Sequence, residues 1–111
     1  MLVLIGCEQS TEHQRPVVSA IKGIDSIQSL QKNTYLIKVP TGIGQINVDL
    51  PANTTLNISL FYQDKPFGGL EGASCLTKNK SLFIEKQAPN QLTVKSQQAS
   101  HCILQIIDWY R

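Results

Sequence analysis

The feature that most constrains how this chain folds is an alternation with a period of two that begins at Thr34. Tyr35, Ile37 and Val39 alternate with polar or amphipathic neighbours, and Ile46, Val48 and Leu50 alternate with Gln45, Asn47 and Asp49. Leu56, Ile58, Leu60 and Tyr62 alternate with Asn57, Ser59 and Phe61, and Leu82, Ile84, Leu92 and Val94 continue the pattern. Successive side chains of a strand point to opposite faces, so this spacing buries one face and leaves the other wet. Proline, glycine and asparagine at 40–44, 51–54 and 87–90 supply turns between the strands.

The last strand differs. Cys102, Leu104 and Ile106 lie on one face and Ile103, Ile107 and Trp109 on the other. A strand apolar on both faces belongs in the middle of its sheet, and Trp109 reads as a core residue. Six or more short strands with regular turns predict an all-β protein: a small antiparallel β-sandwich, jelly-roll or Ig-like, or a small barrel. Residues 16–33 leave two readings open. Val17, Ile21, Ile24, Ile27 and Leu30 have the spacing of a short N-terminal helix. Gly23 and the β-branched residues favour one or two strands, around 17–21 and 27–30.

At the N-terminus, Leu4-Ile5-Gly6-Cys7 resembles the lipobox of bacterial lipoproteins. The resemblance implies lipidation at Cys7, which would become the mature N-terminus. The apolar run Leu2 to Ile5 has no basic residue before it, so residues 1–7 read as a truncated signal with its lipobox; a short strand is the alternative. Residues 8–15 contain no apolar side chain and read as a mobile tether. Glu8 stands where sorting systems of enterobacterial type read an inner-membrane retention aspartate, and its difference from aspartate points to the outer membrane. The expectation is an envelope lipoprotein facing the periplasm or the cell surface, held by lipid alone, with one domain over 16–111.

Cysteine usage follows from that expectation. With Cys7 lipidated, Cys75 and Cys102 remain as an even pair in an oxidising compartment, where a disulfide is expected. Two free buried thiols acting as small hydrophobes are the alternative. Charged residues make up 16% of the 111 residues and the net charge is +2, without the basic clusters of a nucleic-acid binder. No apolar run approaches the ~20 residues of a membrane-spanning helix.

From Thr34 to Trp109 the layout also resembles a bacterial pre-peptidase C-terminal domain. Tyr35-Leu36-Ile37-Lys38-Val39-Pro40-Thr41-Gly42, then residues 45–50 and 55–62, the half-cystine and the closing strand carry that likeness. The acidic segment of that family, Asp-x-Asp-Leu-Tyr, has no counterpart here, and the N-terminal third lies outside the match. The likeness is one of architecture.

The sequence holds few groups arranged for chemistry. His13 and His101 lack the spacing of a zinc site. Gly42-Ile43-Gly44 is followed by no helix, so it does not read as a phosphate cradle. Neither a G-x-S-x-G elbow nor an H-E-x-x-H motif occurs, and Asp25, Asp49, Asp64, Glu71, Glu85 and Asp108 are scattered. The expectation is a protein without catalytic residues, metal or cofactor. Asn53, Asn57 and Asn79 begin Asn-x-Ser/Thr sequons, read as chance in a chain rich in these residues.

Residues 63–80 lack periodicity, and about 18 residues is long for a connection in a compact domain. They predict a functional loop with Asp64, Lys65, Phe67, Leu70 and Glu71 as a partner-binding set and Phe67 as its anchor. The alternative has Phe67 and Leu70 folding back onto the sandwich. Two functions are expected: a non-catalytic binding or assembly module that engages another envelope protein in secretion, pilus or adhesion machinery, or an inhibitor that inserts the 63–80 loop into a hydrolase cleft.

Overall fold

The computed structural model describes residues 15–76 and 81–108. Nine strands follow in order: β1 (Val17–Lys22), β2 (Ser26–Gln31), β3 (Thr34–Lys38), β4 (Ile43–Leu50), β5 (Thr55–Phe61), β6 (Leu70–Cys75), β7 (Leu82–Ala88), β8 (Gln91–Ser96) and β9 (Ser100–Asp108). They form a four-stranded sheet in the order β1-β4-β9-β6 and a five-stranded sheet in the order β2-β3-β5-β8-β7. The two sheets make the expected β-sandwich.

The period-two pattern is what fills the core. Ile46, Val48 and Leu50 of β4 face inward with Cys102, Leu104 and Ile106 of β9. Ile37 of β3, Leu56, Ile58 and Leu60 of β5, and Leu92 and Val94 of β8 meet them from the other sheet. Each such side chain contributes about 1.5–3 kcal/mol by leaving water. β9 lies between β4 and β6, where its two apolar faces expected it to lie.

The chain enters the sandwich at Arg15. At this entry end β1, β3, β5, β7 and β9 start and the even-numbered strands finish, as the registers Val17 with Asp49, Leu50 with Ser100 and Leu82 with Ser96 require. The far end holds Asp108 and the connection between β5 and β6. Ser96 closes the entry end: its Oγ donates to the Pro51 carbonyl and accepts from the Thr54 amide at 3.1 Å.

One open reading is decided and two expectations are corrected. Residues 17–30 form two strands, the second of the two readings. Gly23, at φ 75°, carries the chain from one sheet to the other, and a Cβ there would collide with the Ile43 carbonyl oxygen. The helix-like spacing was not a buried stripe, because Val17, Ile21 and Leu30 are exposed. The five-stranded sheet is mixed rather than antiparallel. β4 departs for the other sheet between β3 and β5, so β5 returns parallel to β3. Finally, the aperiodic stretch at 63–80 is not one loop, because residues 70–75 form the edge strand β6 on β9.

Cys75 and Cys102 are joined by a disulfide, with Cα atoms 5.5 Å apart. It ties the edge strand β6 to the central strand β9. Cys7, the tether at 8–14, Asn79 and Trp109 lie outside the described residues.

Candidate functional site

The residues expected to bind a partner do not form one exposed set. Tyr62 donates its amide to the Lys65 carbonyl and Phe67 donates its amide to Leu60, so residues 62–66 make a tight reversal. Asp64 and Lys65 are exposed at its tip. Phe67 and Leu70 are each 2% exposed and belong to the core. The Phe67 ring packs against Tyr62 with centroids 5.0 Å apart. Phe67 is therefore not a surface anchor, and the inhibitory-loop reading loses the residue it rested on. Glu71 lies in β6 at the register shift between Leu70 and Gly72, and its side chain lies outside what is described.

The reversal is held by Asp108. This fully buried carboxylate accepts from the Tyr62 hydroxyl, from Gly69 N at 2.9 Å and from Gly68 N at 3.4 Å. The Asp108 amide donates to Gly42 at 2.8 Å, and Leu70 N donates to Pro89 at 2.9 Å. The group anchors three connections at the far end, and hydrogen bonds to a charged acceptor are each worth about 1.5–3 kcal/mol. Asp108→Ala should cost at least about 2 kcal/mol in denaturant unfolding and speed hydrogen exchange at Gly69. Unchanged exchange at Gly69 would show that the carboxylate does not hold the loop.

The outward face of the four-stranded sheet is a second surface, which the strand pattern alone did not single out. In β9 the even positions face the core, so His101, Ile103, Gln105 and Ile107 face out. Ile43 pairs with Ile107, Gln45 with Gln105 and Asn47 with Ile103. Ile43 is 38% exposed, and Ile103 and Ile107 are half-buried. The centre of this face therefore carries isoleucine and amide side chains and no charge. At its entry end His101 Nε2 is hydrogen-bonded to Asn47 Oδ1.

Two clefts at the entry end share Arg15. One, of about 540 Å³, is lined by Arg15, Gln31, Lys32, Asn33 and Tyr35 among others. The other, of about 450 Å³, includes Asp49, Ser100 and His101. Sequence reasoning missed both, because Arg15 was assigned to a tether and Lys32 lay in the segment whose reading stayed open. Arg15 precedes β1 and Lys32 follows β2, and the reversal at Gly23 between these strands brings the chain back to the entry end. Among the described residues, no three His, Cys, Asp or Glu side chains gather as a metal site.

No family model, curated protein or solved structure matches this chain. The likeness to pre-peptidase C-terminal domains therefore rests on the order of strands and turns alone.

Proposed function

We propose that the protein is a non-catalytic, lipid-anchored module of the bacterial cell envelope that binds another envelope protein. The observation that carries the reading is the bridge between two of its three cysteines, which leaves Cys7 over. Cys75 and Cys102 are bridged, as suits an oxidising compartment. Cys7, which remains, ends the lipobox-like Leu4-Ile5-Gly6-Cys7. The fully buried carboxylate of Asp108 spends its oxygens on Tyr62, Gly68 and Gly69.

The partner docks on the outward face of the four-stranded sheet, in place of the 63–80 loop. An uncharged patch centred on Ile43, Ile103 and Ile107 is the composition found at the centre of protein interfaces. The tip at Asp64 and Lys65 offers charge without an apolar anchor, which contributes little affinity. The partner is expected to belong to an envelope assembly such as a secretion, pilus or adhesion system.

The test has two arms. Expressed behind a complete leader, wild type takes up labelled palmitate and Cys7→Ser does not; equal labelling would end the lipoprotein reading. In cells, site-specific cross-linking from Gln105 captures an envelope protein, and Ile43→Glu lowers capture at least about fivefold while folding is kept. Capture unaffected by Ile43→Glu would remove this face as the docking surface.

A further inference from the structure

We infer that the Arg15–Lys32 cleft at the entry end seats the body on an anionic lipid surface, through contacts between these two cations and headgroup phosphates. The inference deepens the proposed function, because it concerns which end of the anchored body meets the membrane. The argument begins with connectivity. Fourteen residues precede Arg15, and a lipid on Cys7 would lie eight residues from it. Eight residues span at most about 28 Å, so the anchor keeps the entry end next to the bilayer and the Asp108 end away from it.

Charge and composition agree with that placement. Arg15 and Lys32 line the cleft together with no carboxylate in its lining, and Arg15 also lines the neighbouring cleft, with Asp49. Neither cation is in an ion pair among the described residues, where the ion pair found is Lys95 with Glu85. Lys32 is presented by a defined turn. Asn33 takes the left-handed conformation, at φ 57°, and its carbonyl accepts from the Asn57 amide at 2.9 Å. Half-buried Tyr35 lines the same cleft. Val17, 55% exposed, lines the neighbouring cleft with Arg15. Cations beside an aromatic ring and an exposed aliphatic side chain suit the interfacial region, where the apolar groups dip in and the charges meet phosphate.

Each Lys or Arg close to an anionic surface raises partitioning by about fivefold. Two cations are too few for stable binding of a free protein. They suffice to orient one whose tether already holds it at high local concentration.

The experiment uses the full chain carrying Cys7→Ser, so that no lipid contributes, sedimented with vesicles at millimolar lipid. Partitioning onto phosphatidylcholine vesicles containing 30 mol% phosphatidylglycerol should exceed that onto phosphatidylcholine alone by about 25-fold. Arg15→Gln/Lys32→Gln should abolish the difference. Lys22→Gln/Lys65→Gln, which removes the same charge from the far end, should keep it. Equal binding to both vesicle types, or equal loss from the two double variants, would overturn the inference. So would displacement by inorganic phosphate but not by chloride at matched ionic strength, which would assign the cleft to a free anion. Because no lipid anchor is present, failure here leaves the palmitate result standing, and failure of palmitate labelling leaves this one standing.

Discussion

Phe67→Ala should lower the free energy of unfolding by about 3–5 kcal/mol. Phe67 is 2% exposed, stacks at a tilt on Tyr62 and shares the core with Leu60 and Leu70. Truncation removes the transfer energy of the ring and leaves a cavity that the sandwich cannot close, because its neighbours are fixed by ladder hydrogen bonds on both sides. A domain of this size is stable by about 5–15 kcal/mol, so the variant would sit near the edge of folding at 37 °C. Phe67→Leu should cost clearly less, since most of the volume is kept. Urea unfolding followed by circular dichroism measures both, with an unchanged slope marking a change in stability alone. A Phe67→Ala variant as stable as wild type would mean that the ring is not in the core, and would return it to the surface as a binding residue.

Removing the disulfide should have an effect of similar size. Cys75→Ala/Cys102→Ala opens a link between residues 27 apart, which on the chain-entropy model is worth about 3–4 kcal/mol. The loss should be concentrated in β6. This edge strand pairs on one side only and, apart from Leu70, its described side chains are the small ones of Ala73, Ser74 and Cys75. Such a strand buries little apolar surface and depends on its covalent tie to β9. The double variant should melt roughly 15 °C lower, and its amides at Ala73 and Ser74 should exchange before those of β4. Wild type treated with reductant should follow the same curve. Equal melting of oxidised and reduced protein would show that β6 is held by pairing alone.

Most of the sandwich was legible because its strands obey one rule. In β4, β5, β8 and β9 the inward positions are aliphatic and the chain is extended, so periodicity alone identified both strand and face. β6 was not legible, because Gly72, Ala73 and Ser74 offer no large side chain whose alternation could be read. What makes it a strand is β9 beside it and the bridge at Cys75, both distant in sequence. The segment containing Gly23 left helix and strands both open. Two strands of opposite sheets, joined at a left-handed glycine, placed Val17, Ile21, Ile24, Ile27 and Leu30 at helical intervals by coincidence. The parallel pairing of β3 with β5 depends on where β4 goes, which no local pattern records.

The candidate sites divide in the same way. The disulfide could be expected from cysteine parity once Cys7 was set aside. Phe67 and Leu70 looked available because they stand among glycines and charges. Their burial follows from Asp108, about 40 residues further on, which holds Gly68 and Gly69 against the sheet. The outward isoleucines of β9 were visible as apolar residues, but which face they occupy followed only from the position of Cys102, Leu104 and Ile106. The cleft at Arg15 and Lys32 joins residues brought to one end by the reversal between β1 and β2, strands of different sheets, and had no signal in the sequence.

The proposed function requires an exported body, bridged through Cys75 and Cys102 and anchored through Cys7. The mass of the chain isolated from native membranes, digested without reduction after alkylation of free thiols, tests both links at once. The expected result is an N-terminal peptide beginning at lipid-modified Cys7, together with a linked pair of peptides containing Cys75 and Cys102 and no alkyl group on either cysteine. Three alkylated cysteines and a soluble, unlipidated chain would contradict it.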